Sequence, residues 1–210
     1  MIVVDCGHGN IFSIRRALEI NGISAEVVQD PAAIAAADGI ILPGVGAFSS
    51  VMSGLKSRRL DTAILDAVAR GTPLLGICVG MQVLFEQSSE FGNQKGFGLI
   101  GGQVDRLPEQ NGADGQRIPN VGWREIAFCG EEHMTAPYAP SEMMYFVHSF
   151  APQNVPDENV IGRISFNDHS IPVMVRRANV IGCQFHPERS GPKGVALIAR
   201  FAQSLDELRG

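Results

Sequence analysis

Cys78 lies in Gly76-Ile77-Cys78-Val79-Gly80, where an apolar run stops between two glycines. A thiol at the end of a strand, on a turn too sharp for its neighbours to carry a Cβ, is lifted clear of the sheet as a nucleophile. The residues that follow, MQVLFEQS, read as a helix. Its N-terminus would favour the reactive thiolate and leave the Val79 N–H free to face a developing oxyanion. A five-residue GxCxG also arises by chance, so a buried structural cysteine is the competing reading.

A thiol nucleophile needs a base, and the candidates are His8, His133, His148, His169 and His186. His186 stands out, at the end of an apolar strand in GCQFHPERSG. Glu188, two residues on and held by the turn at Pro187, can orient the ring and stabilise its protonated form. His-Pro-Glu alone is an ordinary surface turn. Its meaning changes because Cys78 and His186 each end a predicted strand of an α/β sheet, the edge where ligand and catalytic residues gather. GHGN after the first strand lacks the third glycine of a dinucleotide fingerprint, since Phe12 stands there. It reads as a tight turn carrying a solvated His8.

The elements that must position these residues alternate. MIVVD is a short strand, after which Asn10 caps a helix carrying Ile11, Ile14 and Leu18 and ending at Gly22. SAEVVQ is strand-like, Asp30-Pro31 opens an Ala-rich helix, and GIILPG is an apolar strand. A helix over Asp61–Arg70 and the strand TPLLGIC follow. Such alternation predicts a parallel sheet covered on both faces. After about Gly96 come GLIGGQVDRL, WREIAF, MMYFVHSF, NVIGRISF and IPVMVRR, read as antiparallel strands added to the sheet. One last helix after GPKG carries Val195, Ile198, Phe201, Leu205 and Leu208 on a stripe. The expected fold is therefore α/β: a mixed, mostly parallel central sheet flanked by helices, with antiparallel strands in the C-terminal half. The longest linker is the Asn111–Gln116 loop.

The 210 residues, 45% of them apolar, suit one compact domain over 1–210. A net charge of −5 without basic runs argues against nucleic acid or an anionic membrane as partner. The N-terminus has neither a basic leader nor a long apolar stretch, which reads as cytoplasmic. Cys6, Cys78, Cys129 and Cys183 form no CxxC pair, so they read as free thiols, with Cys6, Cys129 and Cys183 as small buried hydrophobes.

With Cys78, His186 and Glu188 placed, the sequence resembles the class I (triad) glutamine amidotransferases, whose signatures are GxCxGxQ and FHPE. The resemblance spans nearly the whole chain. Within the class it is similar to the glutaminase subunits of imidazole glycerol phosphate synthases, through DCGHGN, ILPGVGAF, GICVGMQVLFEQSSE, GWREI, YFVHSF and QFHPERSG in that order. The resemblance implies that Cys78 attacks the carboxamide of L-glutamine, with His186 as acid and base and Glu188 fixing it. It implies that Gln82 and Glu90 hold the substrate, that backbone at Gly44, Val45 and Gly46 completes an oxyanion hole with Val79, and that Ser149 and Phe150 contact the substrate backbone. It calls for no cofactor and no metal.

The implied partner is a (β/α)₈-barrel cyclase of histidine biosynthesis, bound as a heterodimer and fed ammonia directly. Asn10, Trp123, Tyr145 and Arg189 match its interface, with core packing as the other reading of Trp123 and Tyr145. Four residues depart from the pattern. Cys6 replaces a tyrosine, Asn120 the histidine before the Gly-Trp pair, Arg189 a lysine and Phe150 a tyrosine. They fall toward the expected partner face and leave three alternatives open: a glutaminase feeding a sugar amidotransferase of surface-polysaccharide synthesis, one serving pyridoxal phosphate synthesis, and a catalytically silent binding module.

Overall fold

The structure is a computed structural model that describes residues 1–109, 115–129 and 141–208. The N-terminal half runs β1 (Ile2–Val4), α1 (Ile11–Ile20), β2 (Glu26–Val28), α2 (Pro31–Ala35), β3 (Ile40–Gly44), α3 (Phe48–Ser57), α4 (Leu60–Ala69), β4 (Leu74–Cys78) and α5 (Val79–Gln82). The remainder is mostly strand: β5 (Gln87–Ser88), β6 (Gln94–Lys95), β7 (Gln103–Arg106), β8 (Asn120–Phe128), β9 (Ser141–His148), β10 (Phe150–Gln153), β11 (Val160–Phe166), β12 (His169–Arg177) and β13 (Val180–Cys183). A 3₁₀ turn at Pro187–Arg189 leads to α6 (Gly191–Gln203) and α7 (Leu205–Leu208).

Nine strands form one sheet in the order β2-β1-β3-β4-β13-β12-β11-β8-β9. The first five are parallel and the rest antiparallel, as the texture of the sequence predicts. The chain steps outward from β1 to β2 and then returns past it to β3 and β4. Right-handed crossovers therefore put α1 on one face and α2, α3 and α4 on the other. The packing of α1 against α6, and of α2 and α3 against α4, follows that division. The core between these layers is aliphatic: Val3, Ile41, Leu42, Leu75, Ile77 and Ile181 of the central strands are all buried.

Several local expectations need correction. Asn10 precedes α1 but makes no capping bond; its amide goes to Glu188 instead. Asp30 does cap α2, accepting from the Ala32 N–H at 3.0 Å. The helix expected over MQVLFEQS is a single turn, because Gln87 and Ser88 leave it to pair with Gln103 and Val104 of β7. These join β6 and β10 in a second sheet of order β10-β7-β5-β6. The C-terminal helix is two, broken where the Ser204 hydroxyl bonds back to the Arg200 carbonyl at 2.6 Å. Cys6 and Cys183 are buried, whereas Cys129 is only half-buried, and all four cysteines are free. The Asn111–Gln116 linker falls largely, and His133 entirely, outside the described residues.

The outermost strand, β9, has part of its outer edge occupied. The Tyr145 N–H donates to Ser190 Oγ at 2.9 Å, and the Tyr145 carbonyl accepts from the His186 N–H at 2.9 Å.

Candidate active site

The parallel strands β1, β3, β4 and β13 end on the same side of the sheet, so the turns after them converge. Cys78 closes β4 with φ 56° and ψ −115°, a conformation that non-glycine residues rarely adopt. The turn is as tight as the flanking glycines suggest. A Cβ on Gly80 would run into the Leu42 carbonyl oxygen, and one on Gly76 would lie 2.5 Å from the Gly80 carbonyl oxygen. Since α5 is one turn long, the helix-dipole argument for the Cys78 thiolate carries little weight. A specific donor stands near the sulfur instead: Gln184 Nε2 lies 3.9 Å from Cys78 Sγ.

His186 is 3% exposed and its Nδ1 lies 2.9 Å from Glu188 Oε1, whose own side chain is 1% exposed. Asn10 Nδ2 donates to that same oxygen at 3.1 Å, tying the loop after β1 to the carboxylate. His186 Nε2 has no hydrogen-bond partner of adequate geometry, although Cys78 is near enough for its charge to act on the ring. Burial alone would favour neutral imidazole. Cys78 and Glu188 outweigh it and push the His186 pKa up to about 10.

A cavity of about 310 Å³, at the small end for ligand sites, opens beside these groups. Val45, Gly46, Cys78, Val79, Gln82, Glu90, Ser149, Phe150 and His186 of the expected set line it. Glu188 stands behind His186. Gly44 does not line it; a Cβ there would lie 2.6 Å from the Gly80 backbone nitrogen, so Gly44 serves the close approach of β3 to the elbow. The Val45 N–H is engaged by the His8 carbonyl at 3.1 Å. Glu90 Oε2 accepts from the Phe48 N–H at 2.7 Å, an orphan donor at the start of α3. Both amide protons of Gln82 are committed inside the wall, to the Phe150 carbonyl and to Gln184 Oε1, each at 3.0 Å. Only its carbonyl remains for a ligand.

Pro119, Val147 and His148 also line the cavity. His148 entered the sequence reading only as a rejected base, and Gln184 not at all. The signal for His148 is period-2 alternation, since it shares its inward face with buried Met144 and Phe146 of β9. His8 is exposed, and His169 is exposed on β12.

Beside the cavity, the outward faces of β8 and β9 carry Val121, Trp123, Met143 and Val147, all large and exposed. Trp123 pairs with Tyr145 across the strands, the rings edge to face with centroids 6.1 Å apart. At 49% exposure Trp123 is not a core residue. Arg189, the last residue of the 3₁₀ turn after β13, is exposed. Among the described residues no group of three or more His, Cys, Asp and Glu could hold a metal ion, and no helix is long and apolar enough to cross a membrane.

This site on this sheet defines a class. The model of the class-I glutamine amidotransferase family matches residues 2–205, and the chain belongs to that family. More particularly, it is 42% identical over 207 residues to the imidazole glycerol phosphate synthase subunit HisH of Streptococcus gordonii, covering 99% of this chain and 97% of that relative. It is 38% identical over 208 residues to the subunit of the same name from Symbiobacterium thermophilum, covering 99% and 95%. Among solved structures, a glutamine amidotransferase superposes with a TM-score of 0.73 at 21% identity, covering 100% of this chain and 98% of that one. A PurLQS structure from Thermotoga maritima gives 0.72 at 23%, covering 97% of each. Those two likenesses speak for the fold.

Proposed function

We propose that the chain is the glutaminase subunit of an imidazole glycerol phosphate synthase, a single cytoplasmic domain that hydrolyses glutamine and passes ammonia to a barrel cyclase. The observation that carries the chemistry is the line from Glu188 through His186 to a cavity that also exposes Cys78. His186 rests as imidazolium, and the Cys78 sulfur reacts as the thiolate. The sulfur attacks the carboxamide carbon, and the oxyanion forms against the Val79 N–H. His186 then donates from Nε2 to the departing ammonia, leaving a glutamyl thioester. Acylation removes the negative charge that held the ring protonated, so the His186 pKa falls and it becomes the base that activates water. Hydrolysis of the thioester releases glutamate and restores the ion pair. Glu90 faces the substrate α-ammonium, and Ser149 and Phe150 supply backbone contacts.

The engaged Val45 N–H supports a dormant isolated subunit. A second oxyanion donor becomes available only if the peptide leaves the His8 carbonyl, and partner loading supplies the reason to move. The stripe formed by exposed Trp123 and Val147 with half-buried Tyr145, beside the cavity, is the surface on which the cyclase docks, with Asn10 and Arg189 contributing. Aromatic anchors of this kind dominate interface energetics.

The test measures ammonia and glutamate release by the wild type and Cys78→Ala, with and without the cyclase and its ribotide substrate. Turnover that needs Cys78 and rises with the loaded cyclase is expected. Labelling of Cys78 by glutamine analogues without cyclase stimulation would redirect the partner to a sugar amidotransferase. Unchanged behaviour of Cys78→Ala would leave a silent module.

A further inference from the structure

We infer that Asn120 is a positioning residue for the glutamine pocket: through His148 it fixes the corner His148–Ser149–Phe150, where the chain leaves the large sheet for the small one. The inference rests on the glutaminase reading of the site. Asn120 and His148 face each other directly across the β8–β9 ladder, and both are buried.

Donor and acceptor chemistry leaves their arrangement a single solution. Arg124 Nε lies 2.8 Å from Asn120 Oδ1, and an arginine can only donate, so the amide carbonyl must face Arg124. Asn120 Nδ2, 2.9 Å from His148 Nε2, is then the donor in that bond, and Nε2 must accept. On the other side of the ring, Nδ1 lies 2.9 Å from the Phe150 carbonyl, which can only accept, so Nδ1 carries the proton. The ring is therefore neutral and in one tautomer. The same Phe150 carbonyl accepts a hydrogen bond from Gln82 Nε2, which also donates to Gln184 Oε1. One continuous set of bonds runs from Arg124 to the donor beside Cys78.

The surroundings agree with a neutral ring. His148 is enclosed and packs on Phe146, 5.6 Å between centroids. Burial above all lowers its pKa to about 4, outweighing the upward pull of the Phe150 carbonyl, with His186 and Arg124 adding smaller downward effects. The charged and titratable groups around it are Arg124 on β8, His186 after β13, and Cys78 and Glu90 in the cavity wall. A histidine at position 120, the residue that the family resemblance leads one to expect, could offer the same donor and acceptor pair.

The experiment combines ¹⁵N NMR of the histidine rings in the full chain with the concentration dependence of Cys78 labelling by a chloroketone analogue of glutamine. It compares the wild type, Asn120→Asp, Asn120→Leu and Asn120→His. The wild-type His148 is expected to be neutral with Nδ1–H at pH 7. Asn120→Asp presents an acceptor where a donor stood, so His148 becomes doubly protonated. In Asn120→Asp and Asn120→Leu the half-saturating analogue concentration rises about tenfold, and Asn120→His retains the wild-type value. A His148 that titrates near 6.5 or carries its proton on Nε2, or folded Asp and Leu variants with unchanged half-saturation, would overturn the inference. A purely structural role would lower the melting temperature without moving either readout. Failure of the wild type to label at all would count against the glutaminase reading, while the NMR result still decides the relay.

Discussion

At the scale of single residues, the site depends on His186 being a cation where burial alone would make it neutral. Its folded pKa, about 10, lies above the ordinary value of 6.5. The stabilisation from its partners, Cys78 first and then Glu188, is thus complete below about pH 6.5 and lost as the pH rises through about 10. Urea unfolding of Glu188→Gln should show a loss of about 3 kcal/mol against the wild type at pH 6, and the gap should close on the alkaline side. A gap that widens with pH would contradict the assigned charge state. Gln184 acts in the same electrostatic sense on the sulfur. Gln184→Leu should slow chloroketone labelling of Cys78 severalfold, roughly the effect of losing one hydrogen bond to a charged group, in a stopped time course at saturating reagent.

At the scale of elements, the tight turn at Cys78 was legible because its demands are local. Glycine at 76 and 80 states that backbone passes where a Cβ would sit, and the structure supplies the Leu42 and Gly80 carbonyls as obstacles. Gly80→Ala should therefore cost at least about 2 kcal/mol, a fall of about 6 °C in thermal midpoint by calorimetry. The parallel strands β1, β3, β4 and β13 were equally plain, as continuous apolar runs buried on both faces. What the sequence reading missed had two causes. The spacing of Phe48, Val51, Met52 and Leu55 is helical, yet the serines and glycine among them masked α3. The end of α5 and the second sheet had no local signal, since two-residue strands such as Gln87–Ser88 exist only through pairing with β7. The site shows the same division. Cys78 ends β4, and His186 and Glu188 follow closely after β13, positions that periodicity reveals, whereas Asn120 and His148 meet across β8 and β9 in a register that no short motif encodes.

At the scale of the whole molecule, the cavity and the exposed β8–β9 face adjoin, and Val147 belongs to both. A partner seated there would cover the mouth of the cavity. Trp123→Ala should weaken cyclase binding about thirtyfold, equivalent to ~2 kcal/mol, by titration calorimetry. An unchanged affinity would move the docking surface elsewhere. The occupied outer edge of β9 has a further consequence. Ser190 Oγ accepts from the Tyr145 N–H and donates to the His186 carbonyl at 2.7 Å, so one hydroxyl both blocks a strand edge and holds the backbone of the base. Bare edges recruit strands from other molecules. Ser190→Ala should then show concentration-dependent self-association by sedimentation velocity together with slower labelling of Cys78. In this protein, one hydroxyl ties the closing of a strand edge to the placement of His186, so a single substitution is expected to disturb both.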